Sequence, residues 1–194
     1  IGRFAIMKGT RIQRSDTMRT PDLNWLKDSR IFQVNRLQAY SDHKYTIGKD
    51  KKPSSFSLNG TWKFNQSKNY DTCFKFFYNT EFNDANWNDI QVPGHIQLQG
   101  FDNPHYTDVT YPWDGHDVVK PGQIDMDKNK VYQYRKTFDC PQDFIGNKLI
   151  LSFEGVESNI YVWLNGKFIG YSEDSFTPSR FDITKYTQEK IGRK

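Results

Sequence analysis

Residues 159–171 read NIYVWLNGKFIGY and carry the clearest fold signal in the chain. Asn165-Gly166 stands between two runs rich in aromatic and β-branched side chains. Asn-Gly in this setting is the strongest short-range signal for a β-hairpin, because a type I′ turn needs a positive φ at both central residues. The sequence therefore predicts two antiparallel strands, 159–164 and 167–171, joined by a two-residue turn.

Further short strands are predicted before this hairpin. Residues 61–64 and 131–138 alternate between two faces, and residues 148–153 form a compact apolar run. Gly and Pro turns separate these runs and no stretch keeps a helical period, which favours an antiparallel β-sandwich or jelly roll. The aromatic side chains predicted for its core are Trp62, Phe153 and Trp163.

Composition excludes several classes of protein. Of the 194 residues, 16% are aromatic, which excludes wholesale disorder, and no apolar run is long enough to cross a membrane. Two cysteines allow one disulfide at most, so the chain is no disulfide scaffold and we expect a cytoplasmic location. Cys73 lies in an aromatic run and is predicted to be a buried, unreactive thiol.

The basic character of the chain is concentrated at its amino-terminal end. Residues 1–20 carry five Lys and Arg side chains and one Asp, which leaves residues 21–194 with equal numbers of acids and bases. A nucleic-acid-binding domain carries its basic stripe on the fold itself, so no nucleic-acid partner is expected. We expect a flexible basic leader over residues 1–20 and one domain over residues 21–194. That domain is predicted to begin with Thr20-Pro21 capping a short helical turn.

Residues 81–119 differ from the rest of the chain. They contain seven acids, three of the four histidines and several aromatic side chains but no Lys or Arg, and Pro and Gly weaken any strand signal. Carboxylates beside aromatic rings suit neutral polyols, because acids accept hydrogen bonds from hydroxyl groups and rings pack on the C–H faces of sugars. The segment indicates either a carbohydrate site or an ordered edge loop whose aromatics pack against the sandwich.

Other chemistries have weaker support. The three histidines of this segment lack the spacing of paired metal ligands, and the chain has no HExxH, CxxC, G-x-S-x-G or Walker A motif. Glycoside hydrolysis requires two carboxyl groups beside the scissile bond. Asp102, Asp108 and Asp114 are near enough in sequence to supply such a pair, although nothing in their spacing demands it.

Five motifs follow one another along the chain. They are VPGHIQLQGF at 92–101, YTDVTYPW at 106–113, FEGV at 153–156, WLNG at 163–166 and GYSEDSFTP at 170–178. In this order they resemble the amino-terminal sugar-binding domain of family two glycoside hydrolases, and the match is best with the large cytoplasmic β-galactosidases of bacteria. The resemblance covers roughly residues 23–186.

The resemblance implies a jelly-roll β-sandwich of the galactose-binding type. In such enzymes it packs against a (β/α)₈ barrel that carries both catalytic glutamates, so no catalytic residue is expected in this chain. The implied activity is hydrolysis of terminal β-D-galactosyl residues, as in lactose, with retention of configuration. The complete enzymes are usually oligomeric and often use Mg²⁺ and a monovalent cation, but no metal ligand is identified in this sequence.

The resemblance also implies that the 106–113 motif contributes to the galactose pocket. Asp108 is the implied sugar contact, at a position where the family usually has Asn. An ionised carboxylate accepts hydroxyl hydrogens but cannot donate one. The implied pocket rim consists of Tyr106, Thr107, Val109 and Trp113, with core packing as the alternative for the two aromatic residues.

After Tyr186 the sequence departs from the family pattern, in which a further strand and a sugar-contacting aspartate follow. We therefore expect a sandwich without its last strand, which would leave an unpaired sheet edge. Three hypotheses stay open: a fragment of a β-galactosidase that is inactive alone, a free-standing carbohydrate-binding module, and an interaction subunit that pairs with a separate catalytic chain.

Overall fold

The computed structural model describes residues 2–7, 20–39, 55–104, 114–115, 117–120 and 123–188, with residues 2–7 and 188 described by their backbone alone. Within these ranges the secondary structure is nearly all β, apart from two short 3₁₀ helices and the single turn of helix α1. The strands are β1 (Gly2–Met7), β2 (Gln33–Val34), β3 (Gly60–Ser67), β4 (Asn88–Val92), β5 (Val131–Phe138), β6 (Ile150–Phe153), β7 (Asn159–Leu164), β8 (Lys167–Glu173) and β9 (Ser179–Asp182). The helices are the 3₁₀ turns Leu23–Lys27 and Gln142–Phe144, and α1 (Thr184–Gln188).

The strands form two sheets. Seven of them pair in the order β2-β8-β7-β1-β5-β3-β4, and β6 and β9 form a two-stranded sheet. Every described pairing is antiparallel. The predicted all-β antiparallel sandwich is confirmed, whereas the jelly-roll connection and the absence of a last strand stay predictions.

Two apolar layers cover opposite faces of the larger sheet. The layer shared with the smaller sheet includes Phe64, Ile90, Leu151, Val162, Leu164 and Phe181. The layer on the opposite face includes Trp25, Val34, Phe77, Tyr161, Trp163 and Tyr171. Because β7 lies between both layers, all six of its residues are buried, and from Ile160 onward its side chains are aliphatic or aromatic on both faces. The predicted core positions of Trp62 and Trp163 are confirmed, and Phe153 packs half-buried against the first layer.

The β7–β8 hairpin has the predicted turn. Asn165 and Gly166 have φ values of 52° and 80°, both in the left-handed region that the type I′ turn requires. Farther along β8, Gly170 permits a close approach of neighbouring elements. A β-carbon there would lie 2.6 Å from the Phe181 ring in the other sheet and 2.6 Å from the carbonyl oxygen of Val34, so only hydrogen fits at this position.

Strand β1 corrects one prediction. Residues 2–7 were expected within a flexible leader, but their backbone pairs with β5 on one side and β7 on the other. The flanking strands present backbone donors and acceptors that need partners, and the run FAIM at 4–7 has the apolar character of an interior strand. A count of charges along residues 1–20 does not detect this pairing.

Two local expectations also change. The first helical turn, Leu23–Lys27, is capped by Asp22, whose carboxylate accepts a hydrogen bond of 2.8 Å from the backbone nitrogen of Asn24; the predicted cap was Thr20-Pro21. Asp is among the strongest N-cap residues. Strand β4 lies inside the acidic segment, where strand signals are weak, because it is an edge strand with Ile90 as its one fully buried side chain. No helix in the described ranges is long and apolar enough to cross a membrane.

Candidate functional site

The predicted sugar-contact segment is described only through the chain that leads into it and out of it. The five residues assigned to it, Tyr106, Thr107, Asp108, Val109 and Trp113, lie outside the described residues. Residues 93–104 precede the segment and residues 117–120 follow it. The geometry of these two flanks shows how its ends are held.

The incoming flank is a compact turn fixed to strand β4 and to the core. Gln99 forms two hydrogen bonds with the backbone of Gln91, accepting at 2.8 Å from its nitrogen and donating at 3.0 Å to its oxygen. Gly94 makes room for this pair, since a β-carbon there would lie 2.5 Å from the Gln99 amide nitrogen. At the end of the turn the Phe101 ring packs 4.7 Å from that of Phe64. The chain is therefore anchored just before residue 102.

Asp102 ties the incoming flank to strand β5. Its side chain is only 5% exposed and accepts hydrogen bonds from the Lys130 ammonium and the Tyr132 hydroxyl. It also accepts one of 2.8 Å from the backbone nitrogen of Asn103. Burial by itself would raise the pKa of Asp102, but these hydrogen bonds outweigh burial and bring its pKa below the ordinary value of 3.8. Asp102 is thus ionised at neutral pH, and both of its carboxylate oxygens accept hydrogen bonds within the fold.

The outgoing flank is tied to the same region. Asp117 accepts a hydrogen bond from Lys128, and this bond is the main reason that the pKa of Lys128 lies above its ordinary value. Lys128 also lies 3.9 Å from Asp125. The Lys128–Asp117 pair is more exposed than the Lys130–Asp102 pair, so its ionic interaction is weaker. Lys128 and Lys130 therefore bring both ends of the predicted sugar-contact segment to the start of β5.

These pairs give the acidity of residues 81–119 a structural cause. Two further acids of the segment also pair with bases outside it, Asp84 with Arg135 at 2.7 Å and Asp89 with Lys63 at 2.8 Å. Because residues 81–119 contain no Lys or Arg, these acids form their ion pairs with bases on other parts of the chain. Asp102 serves as a structural tie and is not free to act as one of a catalytic carboxyl pair.

Sequence analysis missed two polar residues that hold the second apolar layer in place. Gln133 is fully buried and exchanges hydrogen bonds of 2.8 and 3.1 Å with the backbone of Phe74. Arg135 donates to the Asp84 carboxylate and to the carbonyl oxygen of Asn79 at 3.1 Å. It also donates to the carbonyl oxygens of Phe77 and Phe82. The alternation of Gln and Arg with aromatic residues in β5 was the available signal, since polar side chains on a covered face need internal partners.

A cavity of 610 Å³ opens beside this layer, between residues 70–78 and the β7–β8 hairpin. Aromatic rings line most of it, among them Tyr78 and Trp163, which stack at 5.0 Å. Burial raises the pKa of the Cys73 thiol in its wall, which agrees with the predicted buried, unreactive cysteine. Within the described ranges no three His, Cys, Asp or Glu side chains converge to hold a metal ion, and the expectation that this chain binds none stays a prediction.

Comparison with known proteins gives the family. Residues 56–193 match the family described as "Glycosyl hydrolases family 2, sugar binding domain". The chain is 51% identical over 174 residues to a β-galactosidase of Halalkalibacterium halodurans, covering 87% of this chain and 17% of that protein. It is 46% identical over 176 residues to a β-galactosidase of Clostridium acetobutylicum, covering 87% and 20%.

A relative named as a subunit shows the same level of similarity. The chain is 44% identical over 185 residues to the β-galactosidase large subunit of Leuconostoc lactis, covering 87% of this chain and 30% of that protein. It thus spans between 17% and 30% of the length of these relatives. The matched residues include strands β3 to β9 and both flanks of the predicted sugar-contact segment, so this chain belongs to the sugar-binding domains of glycosyl hydrolase family 2.

Proposed function

We propose that this chain is the sugar-binding domain of a β-galactosidase that hydrolyses terminal β-D-galactosyl residues with retention of configuration. The observation that carries the proposal is the family match over residues 56–193 together with 51% identity to a β-galactosidase. Both catalytic carboxyl groups belong to polypeptide outside this chain. A cytoplasmic location, and the Mg²⁺ and monovalent cation of the complete enzyme, are parts of the same proposal.

The domain contributes substrate contacts and not proton transfer. Asp108 accepts hydrogen bonds from galactose hydroxyl groups, and Tyr106, Thr107, Val109 and Trp113 form the rim around it. The ties from Asp102 to Lys130 and from Asp117 to Lys128 support this role, because they attach both ends of the segment to the residues just before β5. Contacts between this segment and galactose then contribute to the affinity for the substrate.

A hybrid enzyme tests the role of Asp108. In this hybrid the chain, with strand β1 included, replaces the matching stretch of the Halalkalibacterium halodurans β-galactosidase. Asp108→Ala is expected to raise KM for a β-galactoside roughly tenfold, which is the effect of losing one charge-assisted hydrogen bond. Asp108→Asn should retain most of the affinity, because its amide still accepts a hydrogen bond and can also donate one.

The matched control is Asp89→Ala, which removes an exposed acid elsewhere in residues 81–119 that pairs with Lys63. This variant should leave KM unchanged. Equal KM values for the hybrid with Asp108 and the hybrid with Ala at that position would remove Asp108 from the sugar contacts, without affecting the family assignment.

A second arrangement is favoured by the names of some relatives. Those from Leuconostoc lactis and Latilactobacillus sakei are called large subunits of β-galactosidase, which supports an interaction subunit that pairs with a separate chain. Co-expression with a candidate partner chain and size-exclusion chromatography separates the two arrangements. One joint peak favours the subunit, and two independent peaks exclude that pairing. A free-standing module would instead bind a galactoside without any partner, which calorimetry on the isolated chain measures.

A further inference from the structure

An aromatic ring stands in solvent on the loop that joins β8 to β9. Phe176, at the tip of residues 173–178, is 94% exposed, more than any other large apolar side chain in the described part of the chain. Burying such a side chain against another apolar surface removes it from water and is favourable. Single exposed apolar side chains are common on protein surfaces, so the significance of Phe176 depends on how its loop is built.

Asp174 holds this loop in one shape. Its φ of 102° lies in the left-handed region, and its carboxylate accepts hydrogen bonds from the backbone nitrogens of Phe176 at 3.0 Å and Thr177 at 3.2 Å. The Thr177 hydroxyl donates to the same carboxylate and is the main reason that the pKa of Asp174 lies below its ordinary value. The loop is therefore closed around a charged group.

Arg36 forms hydrogen bonds with both ends of the loop. Its side chain is 5% exposed and lies 3.7 Å from the Asp174 carboxylate. The guanidinium donates to the carbonyl oxygen of Glu173 at 3.2 Å, to that of Pro178 at 3.1 Å and to the Thr177 hydroxyl at 2.6 Å. A buried cation bonded to both ends of the loop fixes its span, so Phe176 is presented on a rigid support.

A connection that carries two acidic side chains lies beside this loop. Gly155 lies against the loop, since a β-carbon on it would be 3.4 Å from the carbonyl oxygen of Ser175. This contact brings the connection between β6 and β7 alongside the loop, and that connection carries the exposed acids Glu154 and Glu157. A surface that presents an exposed ring and carries these acids nearby is complementary to an apolar socket that carries Lys or Arg.

We propose that residues 173–178 form a docking surface on which Phe176 enters such a socket, in the part of a β-galactosidase that lies beyond the stretch matched here. The inference rests on the proposed function. Because this chain spans between 17% and 30% of the length of its relatives, most of the polypeptide that could cover the surface lies outside it. A loop that is already rigid loses little conformational freedom on docking, which makes one aromatic side chain an effective anchor.

Thiol labelling compares this surface in the isolated chain and in the hybrid enzyme. Phe176→Cys, in a Cys140→Ser background, should react readily in the isolated chain and roughly tenfold or more slowly in the hybrid, where docking excludes the reagent. The matched control is Phe76→Cys, because Phe76 is also an exposed phenylalanine, at 65%, but lies beside the aromatic cavity. Its labelling rate should be the same in both proteins, with each site read by mass spectrometry.

A second variant, Phe176→Ser, tests the same surface without an introduced cysteine. Phe176→Ser should lower the thermal midpoint of the hybrid and leave that of the isolated chain unchanged, because the ring makes its contacts only when docked. Equal labelling of Phe176→Cys in both proteins would overturn the docking proposal, and hydrolysis by the same hybrid tests the proposed function separately. Slow labelling of the isolated chain that becomes faster on dilution would assign the surface to a second copy of the chain, and would also overturn it.

Discussion

Arg135 is the residue on which the second apolar layer depends most directly. Its side chain is 5% exposed and pairs with Asp84, while its remaining donors bond carbonyl oxygens of residues 77–82. Arg135→Met would leave these groups without their donor and Asp84 without its partner. We expect a loss of about 3 kcal/mol in the free energy of unfolding, measured by urea titration.

The exposed pair of Arg30 and Asp28 supplies the control for this prediction. Arg30 is 84% exposed along its side chain, so Arg30→Met should leave the free energy of unfolding almost unchanged. If both variants lose the same stability, charge rather than burial governs the effect, and the role given to Arg135 is wrong.

Asp102 makes the stability of the fold depend on pH. Its pKa is lower in the folded chain than the ordinary value of 3.8, so its contribution is complete above about pH 4 and is lost as pH falls through the folded pKa. Asp102→Asn should be less stable than the original chain at pH 7, and the difference should shrink below pH 4. Urea titrations between pH 3 and pH 7 on both proteins measure this. A difference that stays constant down to pH 3 would mean that the carboxylate charge contributes nothing.

At the scale of elements, strand β1 completes the larger sheet. Ala5 lies opposite Arg135 in β5 and Trp163 in β7, so this one position belongs to both ladders. Proline has no backbone N–H and is not tolerated inside a central strand. Ala5→Pro should therefore increase hydrogen exchange of the β5 and β7 amides roughly tenfold, which corresponds to about 1.4 kcal/mol.

The control substitution for β1 is Gly2→Pro, at the first residue of the strand, where proline is tolerated. Protection of the β6–β9 sheet should change little in either variant, since neither strand pairs with β1. Unaltered protection of β5 and β7 in Ala5→Pro would show that β1 adds nothing to the sheet in solution.

The elements differ in how far the sequence reveals them. The β7–β8 hairpin was predictable because Asn165-Gly166 encodes its turn locally. Strand β1 was not, since its pairing depends on partners more than 120 residues away along the chain. Strand β4 gave a weak signal because Ile90 alone is fully buried. The sequence thus predicts a turn that local residues encode, but it does not predict long-range strand pairing or the position of an edge strand.

At the scale of the whole molecule, the motifs identified the family more securely than the site. Composition left residues 81–119 open between a carbohydrate site and an ordered edge loop. The structure shows that several of these acids are ties to bases on other elements, of which Asp102 with Lys130 is the most buried. Such pairing could not be read from spacing, because Lys130 lies 28 residues farther along the chain. The role of Asp108 stays a prediction.

We expect this domain to contribute substrate contacts and a separate catalytic barrel to carry out the hydrolysis. Hydrolysis of a chromogenic β-galactoside by the isolated chain, compared with the hybrid enzyme, tests this expectation most directly. We expect no turnover by the isolated chain and turnover by the hybrid. Turnover by the isolated chain that disappears in Asp108→Ala would mean that the acidic segment carries its own catalytic carboxyl pair and that no separate barrel is needed.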